Sequence, residues 1–257
     1  MPPHRTRYYR RAPGRAPGRL PRPKAGVAPV FTQAASGGPR RSEGIEKVSY
    51  YRTRVFPRLM DWALSRERVE ALRSRLLEPA GGHVLEIGFG TGLNLFHYPS
   101  SVTTLTAVEP NPGMQRLARA RIRRSRFPVD LRQESCLALP MEDGAFDCAV
   151  STFTLCSLAQ PEQALAEVFR VLKPGGRLLF LEHGLSPAPA VARWQARLNP
   201  LQVRFGDGCH LDRDIPALVR AAGFSLAEAS SYDMGKTPRV IGHFYEGIAQ
   251  HPAFPAA

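Results

Sequence analysis

Three glycines at alternate positions, Gly88, Gly90 and Gly92, follow a short apolar run, and an acid, Glu109, ends the next apolar run 21 positions after Gly88. Glycine lets a backbone turn sharply and lets a ligand approach with no Cβ in the way. A carboxylate at the end of the following strand can accept both hydroxyls of a ribose, which is why nucleoside-binding doubly wound folds carry an acid about 20 residues beyond such a loop. Loop and acid together describe a nucleoside site. Taken singly, the glycines would serve equally for a tight turn without ligand, and the acid for a solvated strand end. A dinucleotide fingerprint requires glycine at position 93, where Leu93 stands, and there is no GlyxxxxGlyLys loop for nucleoside triphosphates.

The elements that must position these residues alternate along the chain. Apolar runs at 83–90, 103–110, 128–133, 146–152 and 177–183 read as five strands. Between them, helical spacing predicts a short helix from about Leu93, a basic helix over 114–122, and a helix over 160–172 whose apolar side carries Ala164, Val168, Val171 and Leu172. LysProGlyGly (173–176) should end that last helix in a turn. Strands alternating with helices imply an α/β fold, a Rossmann-like, doubly wound and mostly parallel sheet covered on both faces. Over 50–77 the spacing of Val55, Leu59, Trp62, Val69, Leu72 and Leu76 predicts two N-terminal helices packed on that domain. A helix is also expected over 215–222.

Ligands of such sheets bind beyond the carboxyl ends of the strands. The informative residues are therefore Glu86 to Gly92, Glu109, Glu134 to Cys136, Ser151 to Thr154, and Glu182 with His183. Candidate bases are His183, ending the fifth strand, and His210, in GlyAspGlyCysHis (206–210). Either could instead hydrogen-bond a loop. Cys209 and His210 are two adjacent ligand types without further spaced partners, too few for a metal. The four cysteines, Cys136, Cys148, Cys156 and Cys209, lie far apart without CysxxCys spacing, so no zinc site or disulfide framework is expected. They read as reduced thiols of a cytoplasmic protein, with Cys136 and Cys156 as small buried residues.

Charge divides the chain. The 257 residues carry a formal +13, but residues 1–42 hold ten Lys and Arg and no acid, leaving 25 basic against 22 acidic residues beyond them. Residues 1–43, rich in Arg, Pro, Gly and Ala, are expected to be a disordered tail, and 44–257 the folded domain. Two uses of the tail stay open: a solvated extension or misplaced start, and a salt-dependent contact with RNA or anionic lipid. For the nearly neutral domain, nucleic acid is disfavoured as a partner, and no obligate protein partner is evident. No apolar h-region follows the basic residues, so no secretory signal is expected, although the composition is similar to that of a transit peptide. Apolar runs such as 178–181 fall far short of the ~18–20 residues that span a bilayer. Peripheral membrane contact stays open through 191–205, where Val191, Trp194, Leu198, Leu201 and Phe205 recur at helical spacing until Pro200 should interrupt or kink the helix. That segment reads either as a cap packed on the core or as an apolar lid over an acceptor pocket.

Several motifs occur in a fixed order: ValLeuGluIleGlyPheGlyThrGly (84–92), AlaValGluProAsn (107–111), LeuAlaLeuPro (137–140), PheAspCysAlaValSerThrPheThrLeuCysSer (146–157), and ArgValLeuLysProGlyGlyArgLeuLeuPheLeuGluHis (170–183). In this order they resemble class I S-adenosylmethionine (SAM) dependent methyltransferases, over residues 50–249. GluProAsnPro (109–112), ThrLeuCysSer (154–157), LeuGluHis (181–183) and GlyAspGlyCysHisLeu (206–211) make the chain similar to bacterial relatives of the methyltransferase-like thiol S-methyltransferases. The quinone-biosynthesis C-methyltransferases are a more distant likeness. The resemblance implies SAM as cofactor, with Gly88, Gly90 and Gly92 along its methionine part, Glu109 on its ribose, and Asn111 and Met114 near its adenine. Ser151 and Thr152 would face the sulfonium. An Asp often found before the LeuPro turn is replaced by Ser135, so Glu134 takes the adenine amino group, or the backbone around Ser135 and Cys136 does. The expected activity is methyl transfer to a small, fairly apolar acceptor, a thiol first. Quinol precursors or phospholipid amines stand behind it, and an RNA-associated SAM-binding protein using the basic tail stands last.

Overall fold

The structure is a computed structural model that describes residues 50–235 and 237–253, together with the backbone of Thr6–Arg7. Apart from those two residues, the expected tail over 1–43 lies outside the described residues.

Seven strands form one sheet: β1 (Gly82–Ile87), β2 (Val102–Val108), β3 (Val129–Arg132), β4 (Phe146–Thr152), β5 (Leu172–His183), β6 (Ser225–Asp233) and β7 (His243–Gln250). Their spatial order is β3, β2, β1, β4, β5, β7, β6, and Thr6–Arg7 pairs antiparallel outside β6. All are parallel except β7, which runs antiparallel to both β5 and β6. The chain starts at the centre with β1, travels outward through β2 and β3, and returns to the other flank of β1 as β4. The order therefore switches between β1 and β4, where Ile87 lies opposite Ser151, and the region beyond their carboxyl ends is where sheets of this kind bind ligands.

Strand alternation sends Leu85 and Ile87 to one face and Val84 to the other, and splits Leu178 and Phe180 from Leu179 and Leu181 in the same way. The first face is covered by Ala164, Leu165, Val168 and Val171 of α4 (Pro161–Val171) and by Ile215 and Val219 of α6 (Ile215–Ala221). The second is covered by Leu76 and Leu77 of α2 (Glu67–Leu77) and Ala118 of α3 (Pro112–Ile122). Fully buried leucines such as Leu85 and Leu179 each contribute roughly 1.5–3 kcal/mol to the fold. Ahead of α2 come a π-helical turn, Tyr51–Val55, and α1 (Phe56–Leu64), in line with the two helices expected there.

Three expectations need correction. No helix starts at Leu93: residues 90–97 form successive turns closed by Gly92 N to Phe89 O, Leu95 N to Gly92 O and His97 N to Asn94 O. The side chains of Asn94 and Tyr98 are both drawn to Glu86, which holds the segment out of helical register. The fifth strand begins at Leu172, not 177: Leu172 pairs with Phe146, residues 173–176 bulge out, and pairing resumes at Arg177 with Cys148. Gly175, at φ +81°, supplies the left-handed step of that bulge. The third concerns α5 (Pro189–Phe205), which Pro200 does not interrupt and whose apolar stripe is not packed on the core as a cap would be. Trp194, Leu198, Leu201 and Phe205 are exposed, and the helix is held by buried Gln195, which accepts from Ser186 N at 2.8 Å and donates to Gly184 O at 3.1 Å. Among the described residues no helix is long and apolar enough to cross a membrane.

Candidate functional site

The glycine loop leaves β1 with Gly88, Gly90 and Gly92 at φ of +64°, +58° and +79°, the left-handed region that penalises any other residue. Gly88 is also sterically fixed, since a Cβ there would lie 2.1 Å from Thr154 Oγ1. At Gly90 a Cβ would meet only Gly88 O at 3.8 Å, so the loop turns an open backbone face outward. Glu109, just beyond β2, is 7 % exposed and reaches across: Oε2 accepts from Gly90 N and Oε1 from Asn111 N, both at 2.8 Å. Burial raises its pKa, against the pull of those two bonds, and the Asp207 charge raises it further. Each oxygen keeps a second lone pair, a matched pair of acceptors for adjacent hydroxyls. A ribose diol fits this arrangement.

Behind the loop lies a buried polar layer. Glu86 accepts from Asn94 Nδ2 at 2.8 Å and from the Tyr98 hydroxyl at 2.6 Å, and so organises the loop from beneath. Arg73 donates to Asn94 Oδ1 at 2.5 Å and to Thr152 Oγ1 at 3.3 Å. Arg73 had a sequence signal: with Val69 and Leu76 it follows i, i+4, i+7 spacing, which puts an arginine on the buried face of α2. Burial raises the Glu86 carboxyl from 4.5 to about 7, opposed by Tyr98, Asn94 and Arg73. Between those values the folded chain holds a proton that the unfolded chain has released, so Glu86 makes stability fall as pH rises through that window. The displacement corresponds to about 3 kcal/mol. Glu86→Gln should remove this dependence, and its unfolding free energy relative to wild type should climb by about that amount between pH 4.5 and 7.5. Parallel stability curves for the two proteins would refute the assignment.

On the expected adenine side, Asn111 caps α3, accepting from Gly113 N at 2.8 Å and donating to Arg52 O at 2.9 Å. Met114 is half-buried in the first turn of that helix. Glu134 and Ser135 are exposed, Cys136 is buried, and the Ser135 hydroxyl accepts from Leu137 N at 3.2 Å.

At the ends of β4 and β5, both expected sulfonium-facing hydroxyls are engaged elsewhere. Ser151 donates to Glu182 Oε1 at 2.7 Å, and Thr152 accepts from Asn94 and Arg73. Glu182, fully buried, also accepts from Thr154 N and Cys156 N, each at 3.1 Å, and so pins the loop after β4. Thr154 Oγ1 donates to Ile87 O at 3.2 Å, fastening that loop to the glycine loop.

The two candidate bases have different surroundings. Asn199 is oriented by Leu211 N on its Oδ1, so its Nδ2 donates to His210 Nδ1 at 3.2 Å, and the neutral ring then carries its proton on Nε2. Burial, followed by Arg213, lowers the His210 pKa and keeps it in that neutral form. His183 Nδ1 instead lies 3.4 Å from Cys209 Sγ, and Cys209 Sγ lies 3.8 Å from Cys156 Sγ. One thiol donates to the other. The Cys209 thiol is the one pushed down, by its hydrogen bond with Cys156 first and, against burial, by His183. Residue spacing gave no sign of this cluster, because its members come from three separate segments.

Residues 51–53 bridge the start of α3 to the end of α5 and the loop after it. Tyr51 donates to Phe205 O at 3.0 Å, Arg52 pairs with Asp207 at 2.7 Å, and Arg116 donates to Thr53 O at 3.2 Å.

Residues 85–180 match the family model described as "Methyltransferase domain". The chain is 37% identical over 149 residues to thiol S-methyltransferase TMT1B of Rattus norvegicus, which covers 55% of this chain and 59% of that protein. It therefore spans less than two thirds of the length of that relative. It is 31% identical over 194 residues to the ubiquinone/menaquinone biosynthesis C-methyltransferase UbiE of Roseobacter denitrificans, covering 65% of this chain and 75% of that protein. Among solved structures it is similar to the N-methyltransferase NodS of Bradyrhizobium japonicum in complex with S-adenosyl-L-homocysteine, with a TM-score of 0.56, 17% identity, and coverage of 77% and 98%.

Proposed function

The chain belongs to the class I SAM-dependent methyltransferases, and on that premise we propose that it methylates small, fairly apolar thiols. SAM, when bound, supplies a methyl group already activated on a sulfonium. The residues of this chain hold, align and shield. Glu109 takes the ribose hydroxyls, and the outward backbone of Gly88 to Gly92 runs along the methionine part. Residues 51–53 close the site from above and keep water out.

One observation carries the thiol: the segments that make the sequence resemble thiol methyltransferases, 154–157, 181–183 and 206–211, converge beside the glycine loop. Thr154 is bonded to Ile87, His210 N to Cys156 O at 2.7 Å, and the Asp207 charge acts on Glu109. A free thiol has a pKa near 8.5 and becomes nucleophilic on losing its proton, so a modest local aid suffices. We assign that aid to the cluster of Cys156, His183 and Cys209. We assign it less readily to His210, whose Nδ1 accepts from Asn199. Exposed Trp194, Leu201 and Phe205 favour an apolar acceptor approaching along α5.

The test is transfer of label from methyl-labelled SAM to a panel of alkyl thiols, hydrogen sulfide, quinols and phosphatidylethanolamine. Label is expected on the alkyl thiols. Label on quinol or amine alone would replace the thiol with that acceptor.

A further inference from the structure

Cys156, His183 and Cys209 come from the loop after β4, the end of β5 and the loop after α5, and their ligand atoms all lie within 4.8 Å of one another. The convergence is built, not incidental. Glu182 holds Cys156 by its backbone N–H, and His210 N bonds Cys156 O at 2.7 Å. Gly208, at φ +92°, allows the third segment to close in, since a Cβ there would stand 2.6 Å from Ser157 O. The His183 ring is set by Phe244, whose centroid is 4.5 Å away, and by Phe153 at 5.7 Å. Both sulfurs belong to buried residues, while His183 is only half-buried.

We propose that these three side chains form a binding site for a zinc-class divalent cation, with the fourth coordination position open. Zinc–sulfur bonds of about 2.3 Å and zinc–nitrogen bonds of about 2.0–2.1 Å in a tetrahedron place two sulfurs about 3.8 Å apart and a sulfur and nitrogen about 3.5 Å apart. The structure has 3.8 Å between the sulfurs and 3.4 Å between Cys209 Sγ and His183 Nδ1. Two thiolates and an imidazole suit a soft or borderline ion and exclude calcium and magnesium, which require oxygen. Three protein ligands with one open position is the arrangement of zinc sites that act on a substrate rather than staple a fold. Both cysteines release their thiol protons to solvent as the ion binds. In a step that rests on the thiol proposal above, an external thiol taking the fourth position likewise releases its proton to solvent and is held as thiolate.

The experiment uses the full chain, reduced and stripped of metal, titrated first with zinc and then with cobalt(II). The expected result is one ion per chain, with cobalt–thiolate charge-transfer absorption that shifts when ethanethiol is added. Cys156→Ser and Cys209→Ser, each checked by circular dichroism and for retained SAM binding, should each weaken uptake by more than the roughly 10- to 100-fold that loss of an outer partner costs. No uptake by the reduced protein, or equal uptake by the Cys156→Ser/Cys209→Ser double variant, overturns the site. Bands indifferent to ethanethiol overturn the open position. Metal uptake without methylation of any thiol sinks the thiol acceptor and leaves the metal site standing.

Discussion

Glu182→Ala is expected to destabilise the domain by about 3–6 kcal/mol, a large part of the 5–15 kcal/mol that typically separates a folded domain from its unfolded chain. The carboxylate is wholly buried and accepts from the Ser151 hydroxyl, Thr154 N and Cys156 N. Burial raises its pKa, with the Ser151 hydroxyl and then the backbone N–H groups opposing. Removing the acceptor leaves those donors unsatisfied where water does not reach, at about 1–3 kcal/mol each. Glu182→Gln keeps one acceptor oxygen but turns an amide N–H toward a donor, so it should cost less, about 1–3 kcal/mol. Urea denaturation gives the comparison. A loss below 1 kcal/mol for the alanine variant would mean that the loop after β4 is held by something else.

The second large effect falls on ligand binding. Glu109→Ala should weaken SAM binding by about 100- to 10,000-fold or more, since two charge-assisted hydrogen bonds of roughly 1.5–3 kcal/mol each are lost. Gly90 N and Asn111 N lose their acceptor as well, so the loop and the start of α3 loosen together. Calorimetric titration with SAM measures the first effect, and an unchanged urea midpoint would separate it from unfolding. An affinity within tenfold of wild type would assign the ribose to another group. Methyl transfer measured at saturating SAM should recover in part, because the acceptor cluster is untouched by the substitution.

The sheet and the loop were readable because local pattern and tertiary role agree there. Apolar runs rich in Val, Leu and Ile end in glycine at 88 or in an acid at 109, and the strands stop within two residues of those marks. Reading failed where a side chain overrides the local pattern. A helix was expected from about Leu93 because it follows a strand and a glycine loop, yet Asn94 and Tyr98 are claimed by Glu86, a partner that spacing does not reveal. The stripe on α5 allowed a core cap or an apolar lid, and only packing shows that Gln195 is the anchor. Cys156 and Cys209 stand 53 residues apart in sequence and meet because β5 and α5 lie between them, information held in topology alone.

The strap of residues 51–53 bridges α3 and the end of α5 through polar contacts, and Tyr51, Arg52 and Thr53 have no buried side chain among them. Exposed ion pairs of that kind contribute about 0–1 kcal/mol. Lifting the strap would break only a few surface bonds, a change of the size that lids make on the microsecond-to-millisecond scale. The strap is held from the surface, whereas the glycine turn is held from beneath by the buried carboxylates of Glu86 and Glu109.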